Sequence, residues 1–329
     1  MSSKTRLRGV LALLSLLVAA VALAACGSDD GTSTDADSTA ASSDNLIQDN
    51  PDNNGVQLTI GSKNFTEQFI LGEIYAQALE AAGYDVSTDL NLGSEQVALK
   101  ALENGEISGY PEYTSTALTS FFDTPPEDVP SDAQAAVDQT QDQFADLGLV
   151  AFAPTPFADA NAVGLLQSTA DELGATKISD LEGQSEDLTL AGSPECRQRI
   201  DCLAGLEEYY GLEFGKFTPV DIGLRYEVLD KGDADLSILF TSDAQLFVDS
   251  DKYTLLEDDK GVLPAGNVIY ISDQKVADEA GPDYQATIEK VQEGLTLEVM
   301  QELNARVDVD KEKPEDVAAE YLQEAGYTE

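Results

Sequence analysis

Lys63 lies in the run Ile60-Gly61-Ser62-Lys63-Asn64-Phe65-Thr66-Glu67-Gln68, where a short apolar strand gives way to a helix. A lysine at a helix N-terminus is a seat for an anion. The free backbone N–H groups and the helix dipole there both favour negative charge. Farther on, Tyr110 and Tyr113 flank Pro111-Glu112, and Thr114 and Thr116 follow at once. The face of a tyrosine ring attracts an organic cation. A small zwitterion needs both seats, and one stretch of chain supplies them.

Other chemistries are excluded by composition. The 329 residues include no histidine and no tryptophan. Without histidine there is no Ser-His or Cys-His nucleophile and no ordinary zinc or copper site, so no metal and no cofactor is expected. Glu112 and Asp243 are the only pair worth offering for general acid–base work. Glu112 sits beside a proline, where a structural hydrogen bond is the simpler role, and no enzymatic activity is expected. The formal net charge of -44 repels nucleic acid and anionic lipid head groups. Such a surface keeps a protein soluble, and it also suits a saline habitat in which counterions screen the charge.

The first 25 residues carry Lys4, Arg6 and Arg8 and then an apolar run to Ala25, which reads as a secretory signal. Leu23-Ala24-Ala25-Cys26 matches a bacterial lipobox, so cleavage before Cys26 and lipidation of its thiol are expected. Residues 26–54 are rich in Asp, lack Lys, Arg and aromatic side chains, and are expected to form a disordered acidic tether. An exported chain with two further cysteines so close together, Cys196 and Cys202, is expected to pair them. A loop that short would contribute about 2 kcal/mol on the chain-entropy model.

The elements that must position these residues follow from periodicity. Leu58–Ile60 predicts a strand. A helix follows, with Asn64 as N-cap, Glu67 as its capping-box partner, and Phe69, Ile70, Ile74, Ala78, Leu79 and Ala82 along one face. Gly83 ends it. Strand Val86–Leu92, a helix opened by Ser94, and strand Ile107–Tyr110 complete a β-α-β-α-β run, after which Tyr110–Tyr113 reads as a loop. Helix Ala133–Leu147 and strand Val150–Phe152 precede a crossover at Pro154–Phe157. A second α/β set runs through strands at Ala162, Leu188 and Leu236 and helices at Leu203 and Arg225. Gly261–Gly266 crosses back to a strand at Val268 and to helices that run to the end. Two α/β lobes joined by two crossovers describe a hinged clamp closing on a ligand. The domains are therefore 1–25, signal; 26–54, tether; 55–156 plus 263–329, lobe I; and 157–262, lobe II.

IGSKNFTEQ, GYPEYTST, GLRYEVLDKGDAD and LTLEVMQELNARVDVD together resemble the solute-binding proteins of osmoprotectant ABC importers, from about residue 56 to the C-terminus. These capture glycine betaine, choline, carnitine or proline betaine. The resemblance implies a two-lobed type II periplasmic-binding-protein fold with the ligand in the interlobe cleft. It implies a lipid-anchored, extracytoplasmic monomer that delivers its solute to a membrane permease. It implies Lys63 and Thr116 at the ligand carboxylate, with Arg199 clamping from lobe II and Arg197 as the near alternative. Tyr113 is then a wall of the cation cage, while Tyr110 is structural. Asn161 and Phe240 stand where family tyrosines are usual. The cage is accordingly reduced, or rebuilt from Phe157, Tyr226 and Phe240. Asp243 is placed to pair with an amine. Alongside a quaternary amine, another small polar or carboxylate solute of the amino-acid or ectoine type stays open.

Overall fold

The computed structural model describes residues 45–329. The expected signal segment, Cys26 and residues 27–44 lie outside the described residues. In chain order the strands are β1 (Gln57–Gly61), β2 (Asp85–Asp89), β3 (Gly109–Tyr113), β4 (Leu149–Ala151), β5 (Ala158–Asp159), β6 (Asn161–Leu166), β7 (Thr189–Gly192), β8 (Lys216–Pro219), β9 (Leu236–Phe240), β10 (Tyr253–Leu255) and β11 (Gly266–Asp273). They form two sheets, ordered β2-β1-β3-β11-β4 and β10-β6-β9-β7-β8. The molecule is a two-lobed α/β protein of type II topology, one lobe on each sheet.

In the first sheet β1 runs parallel to β2 and β3, whereas β11 returns antiparallel to β3 and β4. Leu58 and Ile60 on β1 bury against Ile70, Ile74, Tyr75 and Leu79 of the helix Thr66–Ala81. The C-terminal helices add Tyr284, Met300, Leu303 and Tyr321 to the same core. The other side of the sheet is covered by the helices Glu95–Glu103 and Ala133–Ala145 through Leu102, Val137 and Phe144. The second sheet has its own core, which includes Leu190, Leu206, Ile238 and both cysteines.

The two crossovers lie side by side. β5 pairs antiparallel with the start of β11, Gly266 opposite Asp159 and Asn267 opposite Ala158. The Asn267 amide ties this ribbon by donating to the carbonyls of Thr155 and Phe157 at 2.9 and 3.0 Å. On the lobe II side the Thr241 N–H donates to the Ala160 carbonyl at 3.1 Å. A second seam joins the lobes. Gln301 and Asn304, on the helix Leu297–Asp308, donate to the Thr241 and Ser242 carbonyls at 3.0 and 3.1 Å.

Three local expectations change. Tyr110–Tyr113 is not a loop but strand β3, with Pro111 opposite Tyr270. Pairing with β1 occurs only at Gly109, so the missing proline donor falls where no ladder bond is due. The helix begins at Thr66 with Phe65 at the cap position and no side-chain cap, so the Asn64–Glu67 box does not form. Glu67 is drawn instead into buried hydrogen bonds. Finally, the described end of the tether is folded. Ile47 packs on the first core and bonds Tyr327, and the Asn53 amide donates to the Ala82 carbonyl at 2.8 Å. Composition missed this because one apolar and two amide side chains suffice to dock ten residues.

Candidate functional site

The loop between β1 and the first helix delivers Lys63 to the interlobe cleft, the end of β3 delivers Tyr113, and the turn after it Thr116. From the other lobe come Asn161 at the start of β6, Arg199 in the loop closed by the Cys196–Cys202 disulfide, and Phe240 at the end of β9. These six side chains line one cavity of about 60 Å³. Asp243 does not line it. Its carboxylate accepts from Arg225 at 2.7 Å, from the Tyr226 hydroxyl at 3.0 Å and from the Phe240 N–H at 2.8 Å. It is a structural counterion and is unavailable to an amine.

On the cationic side, Arg199 reaches across the cleft towards the Thr116 hydroxyl, 3.5 Å away, and towards Glu95, 3.6 Å away. Its fork is held on its own lobe by Asp201, through Nε at 2.8 Å and Nη2 at 2.5 Å. Burial lowers the guanidinium pKa, but Asp201 and then Glu95 more than reverse this, so the charge is permanent. Asn161 donates to the Asp201 carbonyl at 2.8 Å and so steadies the same loop. Arg197 lies elsewhere, its guanidinium 4.6 Å above the Phe217 ring. That settles the choice between the two arginines in favour of Arg199 as the cavity residue.

Lys63 differs from expectation. It is 4% exposed and its ammonium is ion-paired with Glu112, which is fully buried. Glu112 also accepts from the Tyr113 N–H at 2.8 Å and the Tyr110 hydroxyl at 3.1 Å, which makes Tyr110 a structural residue as expected. The Lys63 ammonium stands 4.5 Å from the centre of the Tyr113 ring. Glu112 and Asp243 are each committed to a separate ion pair.

Three rings line the cavity beside the cations, Tyr113 and Phe65 with the Lys63 ammonium 4.5 and 5.8 Å from their centres. Phe65 packs between Tyr113 and Phe240, with centroids 6.3 and 5.2 Å apart. Phe65 was missed as a wall. Its signal was its place two residues after Lys63, in a segment too extended for the helix assigned to it. The alternative partners fail. Phe157 is sealed in the lobe I core, and Tyr226 stacks edge-on to Tyr253 at 4.8 Å. The Phe240 ring also carries the Arg225 guanidinium on one side, at 3.9 Å.

An acidic group completes the lining. Asp159, on the hinge ribbon, accepts from the Thr241 hydroxyl at 2.8 Å and the Ser242 N–H at 2.9 Å. Burial, then the charge of Glu67, push its pKa up to about 7. Glu67 accepts from the Tyr113 hydroxyl at 2.6 Å and from the Asn304 amide at 2.9 Å. Burial pushes its pKa up as well. Among the described residues no group of three or more His, Cys, Asp or Glu is arranged to hold a metal, and no helix is long and apolar enough to cross a membrane.

Two lobes, a paired-strand hinge and a small cavity lined by cations and rings define a protein that binds a solute rather than transforming it. Residues 56–324 match the family described as the substrate binding domain of the ABC-type glycine betaine transport system, and the chain belongs to that family. It acts in ABC import on the extracytoplasmic side and is not an enzyme. The glycine-betaine-binding protein of Pseudomonas aeruginosa is 34% identical over 81% of this chain and 87% of its own length. The carnitine transport binding protein OpuCC of Listeria monocytogenes is 27% identical over 83% of this chain and 88% of its own. A crystal structure of a glycine betaine/carnitine/choline ABC transporter component superposes with a TM-score of 0.64 at 25% identity, covering 81% of this chain and 97% of the other.

Proposed function

We propose that this protein captures a small quaternary amine, of the glycine betaine or choline class, between its lobes and hands it to its ABC permease. One observation carries the reading: Lys63, Thr116 and Arg199 meet Phe65, Tyr113 and Phe240 around one interlobe cavity. The rings take the methylated ammonium, each face contributing about 1–2 kcal/mol when desolvated. Arg199 and Thr116 take the polar end, and Asn161 fixes the loop that carries the arginine. Residues 55–156 and 263–329 close on residues 157–262 about the β5–β11 ribbon. Closure is favoured only by as much as the solute binds the closed form better than the open one. The protein works as a monomer held to the outer face of the plasma membrane by a lipid on Cys26, as the lipobox supports.

The test is titration calorimetry against glycine betaine, choline, carnitine, proline betaine, ectoine and common amino acids. At least one methylated amine should bind with one-to-one stoichiometry. It should also stabilise the fold by about 2.7 kcal/mol at a hundred times its dissociation constant. Heat from ectoine or an amino acid alone would replace the quaternary-amine reading with that of another polar solute. Silence across the panel would refute both.

A further inference from the structure

The cations around the cavity are all spoken for. Lys63 pairs with Glu112, Arg225 with Asp243, and Arg199 with Asp201 and Glu95. Among the described residues Asp159 and Glu67 make no ion pair, although they are 7% and 3% exposed. Both hydrogen bonds to Asp159 land on Oδ1, from Thr241 and Ser242, and none reaches Oδ2. Yet Asp159 lines the cavity beside Tyr113, Asn161 and Phe240. Asp159 therefore offers the cavity a carboxylate oxygen that no protein group holds, where something positive can meet it.

We propose that Asp159, backed by Glu67, is the counter-charge for the cationic head of the solute, and that solute binding expels its proton to solvent. This rests on the reading that the solute carries a fixed positive charge. Asp159 spans the two halves of the clamp. It stands on the hinge, is bonded by lobe II, and faces Glu67 of lobe I. The groups that set its charge can be named. Glu67 and Asp243 repel it, and Tyr113, whose hydroxyl bonds Glu67, feels it in turn. Tyr75 faces Glu67 from the same helix. Asp308, on the helix Leu297–Asp308, adds a carboxylate beyond Asp243, and Arg225 offsets that side. Negative neighbours and burial hold the proton on, and a methylated ammonium set against the rings removes it.

The protonated carboxyl thus becomes a carboxylate paired with the cation, and one proton leaves. By linkage, affinity then rises with pH until the free site is already ionised. This chain is well suited to show it. It has no histidine, and its two described cysteines are joined, so no ordinary side chain titrates near neutrality. The α-amino group also titrates there and cannot respond to a change at Asp159, whereas Glu67, raised by burial, titrates together with Asp159.

The experiment is calorimetry of the full chain with choline chloride and with glycine betaine, near pH 7, in buffers of contrasting ionisation enthalpy, repeated from about pH 5.5 to about pH 8.5. Choline has no group that titrates in that range. Proton release on binding is expected, with affinity rising by up to about tenfold per pH unit on the acid side. Asp159→Asn should bind about tenfold or more weakly at the alkaline end, with less proton release and a shallower pH profile than the parent. Buffer-independent heat and a flat profile in the unmodified protein would overturn the counter-charge, as would an Asp159→Asn protein that behaves like the parent. If that variant does not fold, the buffer series on the parent decides alone. Binding of either probe with a flat profile leaves the proposed function standing. Absence of heat with both probes at every pH overturns the two together.

Discussion

Lys63 is asked to do two things that pull against each other. It lines the solute cavity, and it neutralises the fully buried Glu112. Removing one partner of a buried ion pair costs about 3–5 kcal/mol, because the other charge stays behind without compensation. Lys63→Met should therefore lower the melting temperature sharply before any loss of binding can be read. Adding Glu112→Gln removes the stranded charge while keeping an acceptor for the Tyr113 N–H. The double variant should regain most of the lost stability, and its affinity then measures what the ammonium gave the solute. A double variant as unstable as the single one would show that the lysine stem, and not the ion pair, holds the site. The sequence named most of the residues here but not their partners. Periodicity and motif place a side chain on a surface, whereas Lys63–Glu112 and Arg225–Asp243 depend on the meeting of separate chain segments, and Arg199–Asp201, two residues apart, depends on the turn of the disulfide-closed loop.

The helix Leu203–Tyr210 has one job that matters to the cleft, which is to press on the loop that carries Arg199. Gly205 is the contact. A Cβ there would lie 1.8 Å from the Ile200 carbonyl oxygen and 2.8 Å from the Val262 side chain. The Cys196–Cys202 bridge closes the loop, so it cannot simply swing aside. Gly205→Ala should cost about 1–3 kcal/mol by overpacking. It should also weaken solute binding, because Arg199 and Asp201 must move with Ile200. Melting and calorimetry together test this; a stability loss with unchanged affinity would mean that the loop and the cavity are mechanically separate. At this scale the sequence was readable. The helices at Thr66, Leu203 and Arg225 and the strands at β6, β9 and β11 fall where apolar spacing put them. The failures were local competitions. Pro111 argued for a loop, yet it sits in β3 at a register where its missing donor costs nothing. Glu67 argued for a capping box, yet buried bonds to Tyr113 and Asn304 outcompete an exposed cap.

Across the whole molecule two kinds of negative charge act on stability, and pH and salt separate them. The formal net charge of -44 is mostly surface carboxylate, which is fully ionised above about pH 5.5 and repels itself. Raising the salt from about 0.1 M to about 1 M shortens the screening length from about 10 Å to about 3 Å, so the melting temperature should rise by a similar amount at every pH in that range. Asp159 behaves otherwise. Its folded pKa is raised to about 7, against about 3.9 in an unfolded chain. Between those values the folded state holds a proton that the unfolded state has lost. The stability this brings is complete below about pH 4 and is lost as pH climbs through about 7. Glu67, raised by burial, adds in the same direction. Melting curves of the protein without added solute should therefore tilt downward from about pH 5.5 to about pH 8, and salt should shift the tilted line without levelling it, since buried charges are screened much less than exposed ones. Asp159→Asn should level part of the tilt and leave the salt shift unchanged. If high salt abolishes the tilt, the titrating charge lies on the surface and not at the hinge. If a saturating quaternary amine flattens it at the alkaline end, the hinge carboxylates and the solute are answering the same charge.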